Sequence, residues 1–113
     1  MKYSLLFLAL LFISCSTSQF TMYKPVNEVQ GWKIEIEKTG NTFALNIDGV
    51  SVIEKSYGFL GSQFEAVGNY KGKQVQMFAY RTYSTGYNGT TITHDQIRVI
   101  IDGTEASKFD FNS

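Results

Sequence analysis

The chain has 113 residues, 43% of them hydrophobic and 18% charged, and its ten basic and ten acidic side chains leave no formal net charge. That length allows one small domain, and the hydrophobic fraction excludes wholesale disorder. No run of like charge provides the electrostatic footprint of a nucleic-acid binder, while 15% aromatic residues and a single proline favour strands over helices.

The chain opens with Lys2 and an uninterrupted apolar stretch from Leu5 to Ile13. A bilayer span takes about 20 residues, so this stretch fits the hydrophobic region of a secretion signal. It ends in Phe12-Ile13-Ser14-Cys15, and Cys15 is the only cysteine in the protein. A lone thiol exported to an oxidising compartment asks for an explanation. The four residues resemble the lipobox of bacterial lipoproteins, with Phe12 where that pattern usually carries Leu. The resemblance implies that residues 1–14 are a lipoprotein signal peptide and that Cys15 becomes the mature N-terminus. It also implies about three acyl chains on Cys15, palmitate among them, which together make a lasting anchor where one chain would be marginal. Ser16, rather than Asp, after the cysteine resembles the outer-membrane sorting preference of enterobacteria. The implied location is therefore the cell envelope, on the outer membrane facing the periplasm. Ordinary cleavage at Ser14 and Ser16, giving a secreted or soluble periplasmic protein, is the alternative reading, with an uncleaved anchor behind it.

Residues 15–29 read as the lipidated N-terminus and a polar tether. Phe20 and Met22 alternate with Thr21 and Tyr23, so an edge strand can begin there, and Pro25 stops it or confines it to an edge. Residues 30–113 read as a single β domain. In "WKIEIEK", Trp32, Ile34 and Ile36 alternate with Lys33, Glu35 and Glu37, the pattern of a half-buried strand. Phe43, Leu45 and Ile47 do the same in "TFALNI", and Asp48-Gly49 is a strong hairpin signal leading into "VSVIEK". "SYGFLGSQ" is a glycine-punctuated connection with room for a short helical turn. "FEAVG" and "QVQMFAY" flank the turn-rich "NYKGK". "QIRVII" is a further strand, and Asp102-Gly103 leads into a final one, "TEASKFDF". The "IDG" that ends both Ile47-Asp48-Gly49 and Ile101-Asp102-Gly103 is read as one turn chemistry used twice rather than as a duplicated unit.

The expected fold is all-β, a small antiparallel sandwich or partly open barrel of six to eight strands. A mature domain of this size buries roughly 60–65% of its unfolded surface, enough to fold without disulfides. The skeleton of Lys33 to Glu37, Ile47-Asp48-Gly49, Phe64 to Gly68 and Ile101-Asp102-Gly103 resembles one β domain of the Fas apoptotic inhibitory molecule family. The resemblance implies the fold and no function.

The sequence predicts no enzyme, no metal and no cofactor. His94-Asp95 is the only imidazole beside a carboxylate, and no second histidine or free cysteine completes a metal site. The pair reads as a polar turn entering "QIRVII". A serine nucleophile would need His94 as base together with an orienting acid and an oxyanion hole. Glu35 and Glu37 share an outer strand face, where the expected role is solvation rather than glycoside chemistry. The stretch with most character is "YRTYSTGYNGTTITHD", in which Ser84 to Thr93 is expected to be a mobile contact loop. Its candidate binding residues are Tyr83, Tyr87, Asn88, Thr90 and Thr91, since tyrosine among small polar residues is the composition of binding loops. The competing reading is a flexible hairpin with Tyr80 and Tyr83 packed on the sheet. The expected function is a membrane-anchored, non-catalytic binding module for an envelope protein, peptide or glycan. A defensive lipoprotein (hydrolase inhibitor, immunity or phage-exclusion protein) and a structural envelope component are the alternatives.

Overall fold

The computed structural model describes residues 16–58 and 61–112. The signal segment, Cys15 and the Phe59-Leu60 pair of the mid-chain connection lie outside the described residues. Eight strands follow one another: β1 (Ser16–Tyr23), β2 (Trp32–Thr39), β3 (Thr42–Ile47), β4 (Val50–Ser56), β5 (Gln63–Tyr70), β6 (Lys73–Thr85), β7 (Thr91–Ile101) and β8 (Thr104–Asn112). They form two antiparallel sheets in chain order, β1-β2-β3-β4 and β5-β6-β7-β8, packed face to face as a sandwich.

Period-two alternation decides which side chains meet between the sheets. Trp32, Ile34, Ile36, Phe43, Leu45, Ile47 and Ile53 of the first sheet are buried against Val75, Met77, Ile97, Val99, Ile101, Phe109 and Phe111 of the second. The faces expected for β2 and β3 are those observed. At the β4–β5 edge the sheets touch so closely that a Cβ on Gly68 would lie 2.8 Å from the Val52 carbonyl oxygen. Along the opposite edge, the Gln19 side-chain amide donates to the Asp110 carbonyl at 2.6 Å.

The two "IDG" segments occupy equivalent places, each turning the third strand of a sheet into the fourth. Asp48 and Asp102 both have φ 50°, and Gly49 and Gly103 both have φ 79°, the signature of the two-residue turns that match strand twist. Each aspartate also ties its turn to the strand on the other side. The Lys33 N–H donates to Asp48 Oδ1 at 2.9 Å, and the Gln74 N–H donates to Asp102 Oδ1 at 3.2 Å. Both hairpins carry a register shift two residues before the turn, at Leu45/Asn46 and at Val99/Ile100.

Two differences from the sequence reading concern where strands begin. The edge strand expected from Phe20 already includes Ser16 to Gln19, read as tether, and this β1 pairs with β2 from Ser16↔Thr39 to Tyr23↔Trp32. Thr21 and Tyr23 turn inward, while Phe20 and Met22 are 63% and 62% exposed. The strand stops two residues before Pro25. His94 and Asp95, read as a turn, lie inside β7. Asp95 shares the parity of Ile97, Val99 and Ile101 and faces the core, so the ladder continues through the polar pair.

The sandwich has two distinct ends. One carries the turns at 48–49, 71–72 and 102–103 and the loop of residues 24–31. The other carries Ser16, the Gly40-Asn41 turn, Tyr57, Ser62 and Asn112. From this second end a two-stranded arm projects. The last β5 partner of β6 is Gln63↔Tyr80, and the last β8 partner of β7 is Asn112↔His94, yet β6 and β7 stay paired to Thr85↔Thr91.

Candidate functional site

At the base of the arm three charges are gathered under the edge of the core. The Lys38 ammonium donates to Asp95 Oδ2 at 2.8 Å, and Arg81 grips the same carboxylate through Nε at 2.7 Å and Nη2 at 3.2 Å. The Tyr57 hydroxyl adds a fourth hydrogen bond at 3.1 Å. The Arg81 guanidinium lies 4.4 Å from the centre of the Tyr57 ring and donates through Nη1 to Asn41 Oδ1 at 2.9 Å. The Asp95 side chain is wholly shielded, and those of Lys38 and Arg81 are 10% and 11% exposed. Burial alone would raise the Asp95 carboxyl, but the hydrogen bonds from Arg81 and Lys38 outweigh it and hold the group below its ordinary value. The same carboxylate, led by its hydrogen bond, raises Arg81. Burial first, then the Asp95 charge, push the Tyr57 phenol well above its usual range. The cluster is a clasp: it ties Asn41 of the β2–β3 turn and Tyr57, just after β4, to the foot of the arm.

The arm is shorter in loop and longer in strand than the sequence suggested. Half of Ser84 to Thr93 is ladder, and only Gly86 to Thr90 forms the tip. Strand-prone Thr, Tyr and Ile hold the ladder. The five candidate residues spread along the arm from β6 to β7, with Asn88 and Thr90 joined at its tip. Tyr83 is on β6, 61% exposed, with the parity of Arg81. Tyr87 stands fully exposed at the tip. The Asn88 side-chain carbonyl accepts from the Thr90 hydroxyl at 2.7 Å, which stiffens the tip, and Thr91 opens β7 opposite Thr85. Tyr80 and Tyr83 are both largely exposed rather than packed on the sheet.

On the outer face of the arm, His94 Nδ1 lies 2.6 Å from Asn112 Oδ1, and His94 Nε2 lies 3.0 Å from Ser84 Oγ. With the Asn112 oxygen as acceptor, Nδ1 carries the proton and Nε2 accepts from the serine hydroxyl. The three residues follow the nucleophile, base and orienting-group order of acyl-transfer enzymes. The histidine and asparagine are direct partners in the β7–β8 ladder, so strand pairing accounts for their meeting.

One concavity was not anticipated from the sequence. It is a groove of about 570 Å³ on the outer face of the second sheet. Its floor is a lattice of two ladder rows that cross β5, β6 and β7. One row is Gln63–Tyr80–Gln96 and the next is Glu65–Phe78–Arg98. Each row places an aromatic ring at its centre, one between two side-chain amides and the other between a carboxylate and a guanidinium. Tyr80 is 53% exposed, whereas Phe78 is half-buried. Partners on β8 hold the rim. Arg98 Nε donates to Glu105 at 3.1 Å, and the Gln96 amide reaches Asp110 Oδ1 at 3.5 Å. The sequence signal was the alternate register of "QMFAYR", whose outward positions carry aromatics where a solvated strand face carries charge.

No group of three or more His, Cys, Asp or Glu side chains suited to a metal ion occurs among the described residues. No protein-family model matches the chain, and neither a curated protein nor a solved structure is significantly similar to it.

Proposed function

We propose that the protein is a lipid-anchored envelope lipoprotein that acts as a non-catalytic binding module, taking a glycan or an extended peptide of an envelope partner in the groove on its second sheet. The observation that carries this reading is the pair of ladder rows, Gln63–Tyr80–Gln96 and Glu65–Phe78–Arg98. Aromatic rings give a ligand a rigid apolar platform, while amides and a guanidinium at fixed spacing select its hydrogen-bonding groups. Strands hold these side chains more exactly than a loop would, and the sandwich beneath them supplies the stability. The arm, expected from sequence to be the contact loop, is a projecting two-stranded ribbon, and the macromolecular partner is proposed for the groove instead. Membrane attachment rests on the lipobox-like Phe12 to Cys15 and on Cys15 being the one thiol.

Two measurements test the proposal. The soluble domain, residues 16–113, is presented to a panel of envelope glycans and peptides, alongside Tyr80→Ala and Arg98→Ala. Removal of an aromatic anchor is expected to weaken binding at least about tenfold, about 1.4 kcal/mol, with little change in melting temperature. Ligands that bind both variants as tightly as the parent would place the site elsewhere. Separately, Cys15→Ala should release the protein from membranes or leave it unprocessed, and continued membrane fractionation at the processed size would remove the anchor.

A further inference from the structure

We infer that the β6–β7 arm is a membrane foot: its tip, centred on Tyr87, seats in the headgroup layer of the bilayer that carries the lipid anchor. The inference rests on the anchor proposed above and concerns a surface that the binding groove does not use.

Direction comes first. Ser16 pairs with Thr39 at the end of the sandwich that bears the Gly40-Asn41 turn, and Asn41 accepts from Arg81 at the base of the arm. Cys15 immediately precedes Ser16 in the sequence. Ser16, the first described residue of β1, is paired into the sheet, so an anchor on the residue before it would be joined to the sandwich at this end. The lipid and the arm therefore leave the domain from the same end. Beyond Arg81 each strand of the arm runs four more residues before the tip, about 13 Å at strand rise. A headgroup layer is about 5–8 Å deep on each side of the hydrocarbon. An anchored domain must then tilt, or let the tip enter the interface.

Composition permits entry. From Thr82 to His94 there is no Asp, Glu, Lys or Arg, although the chain as a whole is 18% charged. The charges at the base of the arm are already joined in the Lys38–Arg81–Asp95 clasp. The opposite end, by contrast, presents Asp48, Lys71 and Asp102 to solvent. Tyr87 at the tip and Tyr83 along the shaft are rings with a polar edge, the kind of side chain that concentrates at membrane–water interfaces. A protein partner, or the arm of a second copy, is the competing occupant, and the co-directed anchor favours the bilayer over both.

The test uses the full chain, processed and lipidated in a bacterial host, then reconstituted in vesicles of phosphatidylethanolamine and phosphatidylglycerol. Tyr87→Trp places a fluorophore at the exposed tip. Val29→Trp places one at the opposite end, where Val29 is 91% exposed. Native Trp32, buried in the core, is a constant background. In vesicles made with brominated lipid, the added Tyr87→Trp emission should shift to the blue and fall about twofold or more, as expected of a ring at interface depth. Val29→Trp emission should not change. A mass spectrum of the N-terminal peptide reports the lipid independently. Lipid on Cys15 with unquenched Tyr87→Trp emission would overturn the foot and leave the anchor standing. Tip quenching that vanished on diluting the protein in the membrane would assign the arm to a second copy and overturn the inference. Absence of lipid on Cys15 would overturn the anchor, and with it the argument for the foot.

Discussion

Replacement of Asp95 by alanine is the sharpest probe of how the arm is held. The carboxylate has no exposed side-chain surface and accepts from Lys38 at 2.8 Å, from Arg81 at 2.7 and 3.2 Å, and from Tyr57 at 3.1 Å. Asp95→Ala removes that acceptor and leaves two shielded cations facing one another across the space it filled. Breaking a buried ion pair by deleting one partner costs about 3–5 kcal/mol. In a domain of this size each kcal/mol lowers the melting temperature by about 4–8 °C, so a fall of about 12–40 °C is expected. The lower half of that range is the better expectation, because the clasp lies at the end of the sandwich and Lys38 and Arg81 can swing towards water. The effect should also depend on pH. The unfolded carboxyl titrates near about 3.9, and the folded one titrates lower because hydrogen bonds from Arg81 and Lys38 outweigh the upward push of burial. A depressed acid stabilises the fold above its unfolded pKa, and that contribution fades as pH falls through the folded value. The gap between parent and Asp95→Ala should thus be full at pH 7 and close progressively below about pH 4. Thermal and urea melts followed by circular dichroism at several pH values read both quantities. A variant that melts within a few degrees of the parent at pH 7, or a gap that persists undiminished into acid, would refute the reasoning.

Three further outcomes are expected. Ile36→Ala, Leu45→Ala and Val99→Ala, at wholly buried positions, should each cost about 2–4 kcal/mol in urea melts, with Val99 the mildest because it loses least volume. Gly68→Ala should cost about 1–3 kcal/mol, because its new methyl would press on the Val52 carbonyl where the sheets touch, and a neutral result would mean the β4–β5 edge can spread. A fluorophosphonate probe should leave Ser84 unlabelled in the folded protein. Labelling that His94→Ala abolishes would turn the Ser84–His94–Asn112 chain from a structural contact into a nucleophile and overturn the non-catalytic reading.

What could be read from the sequence follows from how each signal is made. Trp32, Ile34 and Ile36, then Phe43, Leu45 and Ile47, are apolar at every second position, and burial enforces that alternation, so their strands and faces were visible. The Asp-Gly turns were visible because a left-handed pair of residues has few occupants. Lys38 and Asp95 share the inward parity of their strands, but a charge at an inner position reads as the end of a strand until its counter-charge, far off in sequence, is known. The arm was hidden for a related reason. A two-stranded ribbon beyond the core buries little, so its side chains lose the alternation that marks a strand, and backbone pairing with strand-prone residues maintains it. The first half of β1 was obscured because Ser16, Thr17, Ser18 and Gln19 are all small or polar and carry no apolar alternation. The groove lay in the register of "QMFAYR", where the inward set of Met77 and Ala79 drew the eye from the outward set of Phe78 and Tyr80.

The chain-order arrangement of the sheets bears on how the protein reaches its fold. Every ladder joins strands that are consecutive in sequence, and no strand of one half intrudes between strands of the other. All-β sandwiches are usually slow folders because distant segments must find one another before any contact rewards the search. Here each half can zip outward from its own tight turns, and a single distant event remains, the docking of two preformed faces. Refolding should therefore be quicker than is customary for an eight-stranded sandwich. The interval between zipping and docking is the moment of exposure, when Trp32, Phe43 and Met77 face water and invite association with other chains. A chain secreted in an unfolded state would cross that interval beside a membrane, where a rapid, local route to the native sheets leaves less time for misassembly.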